Sequence, residues 1–420
     1  MLLEFSVENF RSIRDKQTLS MVASQSDKKL FDSHLIATGV RGAPNALKSA
    51  VIYGANASGK SNLILGLNYM RAVIAESSSI KPGHKFNVKP FLLDKHSASH
   101  EVPTSYEVTF IVHNIRYQYG FSMNLERIIE EWLLAYPSPK PQAWFYRKYD
   151  SQNEEYTYEF SSYFTGRKKL WQESTRDNAL FLSTATQLNS EQLTPIFNWL
   201  TNELVVSPSG EGNSFDFTTS LLNEPSKKTS IQNFLVSADI SISNISTVQR
   251  KGFRQTIHFN SDGEVDSSAA EQELELPQFT HQTTHETATF ELVDESLGTQ
   301  KLFSLAGPLL DILEKGRVYV VDELHNSLHP LLVKHLIELF HNSDTNPNNA
   351  QLIFSTHDTS LLNSKVFRRD QVWFVEKDES QATTLFPLSD FSPRKGEALE
   401  KGYLSGRYGA LPFFDETSIW

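Results

Sequence analysis

No cysteine occurs anywhere in the 420 residues. Disulfides, thiolate zinc sites and cysteine nucleophiles are excluded together, and any zinc chemistry would need histidine and carboxylate alone. No apolar run approaches the roughly 18 residues that a membrane-spanning helix needs. The opening alternates apolar and polar residues at Leu3, Phe5 and Val7 and lacks the basic-then-apolar pattern of an export signal, so the cytoplasm is the expected compartment. Positive charge is also short: 39 Lys and Arg stand against 50 Asp and Glu, for a formal net charge of −11. Such a surface does not attract nucleic acid as a whole, which leaves only a confined basic groove for that partner. The clusters at Arg167, Lys168 and Lys169 and at Arg368 and Arg369 are short and read as solvated surface charge. With 39% hydrophobic and 21% charged residues, the composition is that of an ordinary globular protein, and the length points to two structural units.

What is present has an order. Period-2 alternation over Leu2 to Val7 and a second run from Gln17 to Val22 predict an N-terminal hairpin. Alternating aromatic and β-branched runs between about 86 and 165, such as Tyr106 to Val112 and Ile115 to Phe121, predict an antiparallel sheet. Ala179 to Leu204 reads as helical, with Pro195 interrupting it or starting a second helix. The Ser, Gly and Asn content of Ser207 to Ser230 reads as loop, Ile240 to Phe259 as strand, and the acidic stretch Ser261 to Pro277 as a linker or mobile loop. From Thr289 a regular alternation follows: strand to Val293, helix over Thr299 to Glu314, strand Val318 to Val321, helix Pro330 to Asn342, strand Gln351 to Ser355. Such alternation implies a parallel sheet.

The most specific motif is Gly54-Ala55-Asn56-Ala57-Ser58-Gly59-Lys60-Ser61. It follows the β-rich run Ser49 to Tyr53 and precedes apolar Leu63, Leu67, Met70 and Ile74 at helical spacing, the context a phosphate loop requires. Glycines let successive N–H groups turn inward toward phosphate oxygens, and the next helix adds its partial positive end. Lys60 would reach the β- and γ-phosphates, and the Ser61 hydroxyl would ligate Mg²⁺. Downstream, Asp322 and Glu323 end a buried strand, where an open α/β sheet exposes its ligand site. Asp322 would hold the magnesium and Glu323 would polarise the attacking water as general base. Ser296, Gly298 and Thr299 stand just before a predicted helix, 26 residues ahead of Asp322. Local chemistry alone makes them a helix cap, whereas their position between the phosphate loop and the carboxylates gives them a second reading as an anion-binding device. His357 follows a strand and should emerge beside the phosphates, where a neutral imidazole can hydrogen-bond the γ-phosphate or the water. His281 and His285 are four apart, but no glutamate stands between them as in a zincin, so they are not expected to hold metal.

In this order the motifs resemble the ABC ATPase superfamily, especially its chromosome-maintenance and RecF-like branch. Ser296-Leu297-Gly298-Thr299 looks like that branch's signature motif, which binds the γ-phosphate of a nucleotide held by the other subunit. Leu324 to Pro330 sits where the family has its D-loop, and Ser355-Thr356-His357-Asp358 resembles the switch-histidine segment. Phe5 to Ile13 is similar to the start of RecF-like and OLD-like ATPases, and Glu400 to Pro412 looks like the closing segment of RloA or AbiL-type proteins. The resemblance implies ATP and Mg²⁺ as cofactors, a homodimer or higher even oligomer, and a role in bacterial phage defence beside a separate, nuclease-like effector. Arg11 lies where relatives often place a basic residue near the nucleotide. Phe91-Leu92-Leu93-Asp94 corresponds to the Q-loop region but contains no glutamine.

Two absences narrow the expectation. The 235-residue interval from Ser61 to Ser296 shows no sustained heptads, which argues against long coiled-coil arms. Only 63 residues follow His357, too few for the Toprim nuclease domain of OLD proteins. The expected fold is therefore α/β: a P-loop ABC-type nucleotide-binding domain of residues 1–95 and 285–420, interrupted by a mixed β/α insertion at 96–284 that serves partner binding. The expected function is an ATP-hydrolysing switch. A RecF-like repair clamp that binds DNA directly, a transporter-type cassette and a non-hydrolysing scaffold are the rivals.

Overall fold

The computed structural model describes residues 1–99, 101–138, 140–208, 215–259, 265–391 and 398–412, the side chains at 252–259 and 265–272 excepted. These residues gather into two compact units, one of Met1–Gly210, Leu313–Asn326 and Val333–Trp420, the other of Glu211–Ile312 and Ser327–Leu332.

The first unit holds two large sheets and the short antiparallel pair Leu35–Ala37 and Asn45–Leu47. In the seven-stranded sheet the order is Glu155–Phe160, Gln142–Asp150, Ile128–Tyr136, Ile115–Met123, Thr104–Val112, Leu2–Glu8 and Gln17–Ser20, antiparallel throughout. The N-terminal hairpin and the antiparallel run are thus one sheet, joined by the pairing of Phe5 with Val108. In the six-stranded sheet the order is Leu204–Ser207, Val318–Val321, Gln351–Ser355, Ser49–Tyr53, Val372–Lys377 and Thr383–Pro387, parallel except for the last strand. Its central strands Ser49–Tyr53 and Gln351–Ser355 are buried at every residue because both faces are covered, as parallel sheets require.

The helix Lys60–Glu76 joins the two sheets. Leu63, Leu67, Met70 and Ile74, the positions its periodicity selects, are all buried in one core with Phe5 and Val7 of the first sheet and Ala50 and Ile52 of the second. Each such side chain contributes roughly 1.5–3 kcal/mol of apolar burial. Gly66 permits the approach, since a Cβ there would lie 3.3 Å from Val7 Cγ2. On the antiparallel sheet, fully buried Glu131 accepts hydrogen bonds from Phe181 N at 2.6 Å and Leu182 N at 2.9 Å, capping the helix Phe181–Gln187 from outside the helix. Arg147, equally buried, lies 3.7 Å from it and donates to the carbonyl oxygens of Ala179 and Arg176.

The second unit contains the strands Asn244–Phe259, Val265–Gln282 and Thr287–Glu291, paired in that order. It also contains the helices Phe215–Leu221 and Pro225–Ser237 and most of Leu297–Lys315.

Several expectations need correction. The stretch read as loop from Ser207 carries those two helices, because Ile231 and Leu235 are buried and Pro225 suits a first helical turn. The acidic stretch read as a linker is strand from Val265 onward, with residues 261–264 outside the described residues. Arg368 is not solvated: it is 1% exposed and bonds Asp370 at 2.7 Å. No described helix is long and apolar enough to cross a membrane.

Candidate nucleotide site

The register of the parallel sheet builds the site. Val321 pairs with Phe354, Ser355 with Ile52, and Phe374 with Tyr53, so three neighbouring strands end together at one edge. From that edge emerge the glycine loop after Tyr53, Asp322 and Glu323 after Val321, and Thr356, His357 and Asp358 after Ser355.

The loop itself tolerates nothing larger than glycine at its two ends. A Cβ on Gly54 would stand 2.3 Å from Val375 O, and one on Gly59 would stand 2.1 Å from Thr383 Oγ1 at a φ of +115°. Between them Asn56 and Ala57 are exposed at the tip, Ala57 with a φ of 61°. Lys60 is buried and its ammonium donates to Gly54 O at 2.8 Å and Ala55 O at 3.0 Å. Burial lowers its pKa, against the opposing pull of Asp322 and Glu323. The Ser58 hydroxyl is buried without a hydrogen-bond partner, and Ser61 is exposed at the helix start. A cradle closed to side chains, a buried ammonium and an orphaned hydroxyl fit a phosphate chain.

Around Asp322 the arrangement depends on a residue that sequence reasoning passed over. The Ser355 hydroxyl donates to Asp322 Oδ1 and accepts from Glu323 N at 2.8 Å. Asp322 is 6% exposed, while Glu323 is exposed and sits at a φ of 50°, a costly left-handed backbone for a non-glycine residue. One buried serine therefore orients the carboxylate suited to a divalent cation and anchors the next residue, so that Asp322 and Ser61 have the donor chemistry for Mg²⁺.

His357 is exposed, and its ring centroid lies 3.9 Å from that of His325, whose Nδ1 is 3.1 Å from Thr356 Oγ1. Burial, reinforced by His357, holds the His325 pKa down to about 4. His325 lies in the segment that resembles a D-loop, but nothing in its local sequence singles it out. The closing motif supports the same edge: Thr359 Oγ1 donates to Glu400 Oε1 at 3.1 Å, and Tyr53 OH donates to Asp358 O at 3.1 Å.

Arg11 has a φ of 52° and an Nε that is buried without a partner. Its neighbour Ser12 ties this loop to the phosphate loop: Asn62 Nδ2 donates to Ser12 Oγ at 2.7 Å, and Thr383 Oγ1 lies 2.7 Å from Ser12 Oγ and donates to Ser58 O at 2.9 Å. In the Q-loop region, Asn9 Oδ1 accepts from Phe91 N at 2.9 Å, while Leu92 and Leu93 are exposed.

In the second unit, Ser296 caps the helix Leu297–Lys315. Thr299 N donates to Ser296 Oγ at 3.1 Å, and the two hydroxyls lie 2.9 Å apart. A Cβ on Gly298 would meet Ser327 O at 3.3 Å. His281 Nε2 lies 2.8 Å from Glu295 Oε1, and His285 is exposed.

A parallel sheet with a glycine loop entering a helix, and paired acids at the same edge on the strand two places along, defines a P-loop nucleotide-binding fold. Residues 49–363, three quarters of the chain, match the family described as "AAA domain, putative AbiEii toxin, Type IV TA system", and the chain belongs to that family. No curated protein matches the chain significantly. Among solved structures it is similar to the SMC head bound to the C-winged helix domain of ScpA, with 11% sequence identity and a TM-score of 0.44 over 92% of this chain and 97% of that one.

Proposed function

We propose that the chain is an ATP-hydrolysing switch whose copies associate head to tail and control a separate, nuclease-like effector in bacterial antiphage defence. The observation that carries this reading is the common edge from which Lys60, Asp322, Glu323 and His357 emerge. Lys60 and the loop amides hold the β- and γ-phosphates, and Ser61 and Asp322 hold Mg²⁺, which when bound supplies charge neutralisation. Glu323 accepts the proton of the attacking water, and His357 hydrogen-bonds the γ-phosphate or that water. Ser296, Gly298 and Thr299 of a second copy complete the site. Val293 and Leu297, which flank Ser296, are exposed by 78% and 72%, apolar surface suited to burial on association. The family's description as a toxin of a type IV system, with the RloA-like and AbiL-like closing segment, supports the defence role. The strands at 96–165 and the second unit are assigned to partner recognition.

Glu323→Gln tests the switch. The amide cannot serve as the base, so ATP turnover should fall by about 100-fold or more while ATP binding persists. With ATP and Mg²⁺ the variant should accumulate as an even-numbered assembly in light scattering. Turnover at the unmutated rate would remove Glu323 from the mechanism.

A further inference from the structure

A second concentration of polar donors lies at the far end of the antiparallel sheet. Arg116 follows a hairpin turn in which His113 and Asn114 have φ of 49° and 61°. It is the cross-strand neighbour of Tyr136, and its guanidinium carbon lies 3.9 Å from that ring's centroid. The stacking fixes the plane of the guanidinium and so the directions of its donors. Opposite stands the turn at 38–44 between the strands Leu35–Ala37 and Asn45–Leu47. Thr38 pins this turn: its N donates to Pro44 O, its hydroxyl donates to Ala43 O, and it accepts from Val40 N. Gly42, at a φ of 87°, lets the turn close, since a Cβ there would stand 3.1 Å from Arg116 Nη1.

Between turn and hairpin is a cavity of about 420 Å³, lined among the described residues by Arg41, Asn114, Arg116, Tyr136 and Ser138 and by no carboxylate. Among the described residues neither arginine has an ion-pair partner or a hydrogen-bond acceptor for its side chain, and Arg116 Nε is buried in that condition. Two arginines without counter-charge, in a chain of net charge −11, are unpartnered donors in search of an anion.

We propose that this cavity is a second anion site, distinct from the phosphate loop, that takes a small phosphomonoester. A phosphomonoester carries a charge of about −1.5 to −2 near pH 7, which matches two guanidinium groups better than a single carboxylate does. The cavity volume falls in the range for small ligands. A long polyanion would also have to approach a net negative surface.

The test uses the full chain carrying Lys60→Ala, so that binding at the phosphate loop is suppressed. Inorganic phosphate, ribose 5-phosphate and adenosine monophosphate are titrated calorimetrically. At least one phosphomonoester should bind, and the probe that binds distinguishes free phosphate from sugar or nucleotide. Adding Arg116→Lys, which keeps the charge but loses the planar fork, or Arg41→Gln at an exposed position should each weaken binding by about tenfold or more. Unchanged affinity in a folded variant overturns the proposal. So does the absence of binding at millimolar concentration, or binding only of an oligonucleotide or an acidic peptide through the same arginines.

Discussion

His325 shows how a single side chain couples the site to the stability of the fold. Its ring stacks edge-on against His357, it contacts Thr356, and burial holds its pKa at about 4 against the ordinary 6.5 of the unfolded chain. Between those values the unfolded chain binds the proton and the folded chain does not, so acid favours unfolding. The contribution is fully present above pH 6.5 and is lost progressively as pH falls toward about 4. The midpoint of urea unfolding should therefore drop from pH 7 to pH 5, and His325→Gln, which cannot titrate, should make that drop smaller. Two buried histidines share the trend: His34 and His341, whose ring centroids lie 3.7 Å apart, are also shifted downward by burial. The slope difference between the two proteins, not the slope itself, is the readout, and identical slopes would dissociate His325 from the effect. The position was not legible in the sequence because its significance comes from Thr356 and His357, some thirty residues away. Ser355 is a parallel case. Asp322 and Glu323 announce themselves by following a buried apolar run, whereas the serine that orients one and anchors the other lies on a neighbouring strand.

Among the elements, the helix Leu297–Lys315 carries a defect that another helix repairs. Pro308 lies in its interior and has no N–H to offer Ser304 O. Thr218, from Phe215–Leu221, directs its hydroxyl toward Ser304 O at 3.5 Å and accepts from Gly307 N at 3.1 Å. Glycine at 307 is needed for this approach, since a Cβ would lie 2.7 Å from Thr218 Oγ1. Thr218→Val keeps the shape and removes both bonds, taking from Ser304 O the hydroxyl that stands in for the missing proline N–H. It should cost about 1–3 kcal/mol, read from chemical denaturation, whereas Thr218→Ser should cost less. No loss in the valine variant would show that the helix satisfies itself. This contact also explains which elements could be read in advance. Ser49–Tyr53, Val318–Val321 and Gln351–Ser355 were legible to the residue because continuous apolar runs leave a buried parallel strand few alternatives. Phe215–Leu221 was not legible, since its polar Thr218 is buried for the sake of a distant proline. The strand Val265–Gln282 did carry a signal, Glu273-Leu274-Glu275-Leu276 in strict alternation, but its acidic composition pointed to a linker.

At the scale of the molecule, the phosphate loop and the carboxylates belong to one compact unit and the Ser296 segment to the other. The proposed function requires these two sets to meet between copies, and mixing can test that requirement without any picture of the dimer. Lys60→Ala removes the buried ammonium of the loop, and Gly298→Glu puts a carboxylate where even a Cβ stands 3.3 Å from Ser327 O. Each homodimer then has a defect in both sites and should be inactive. In a mixed dimer both defects fall in one site, and the other combines an intact loop with an intact Ser296 segment. With free exchange half of the dimers are mixed, and each has one sound site of two, so ATPase activity should return to about a quarter of normal if the sites act independently. Obligatory cooperation between sites would mask this gain, so a covalently linked pair with Lys60→Ala in one copy provides the reference for a single sound site. If that linked pair hydrolyses ATP, and mixed dimers form but stay inactive, the Ser296 segment does not act across the interface. Its geometry would then be explained by the hydrogen bonds already present, Ser296 Oγ with Thr299 N and Thr299 Oγ1, as the cap of one helix.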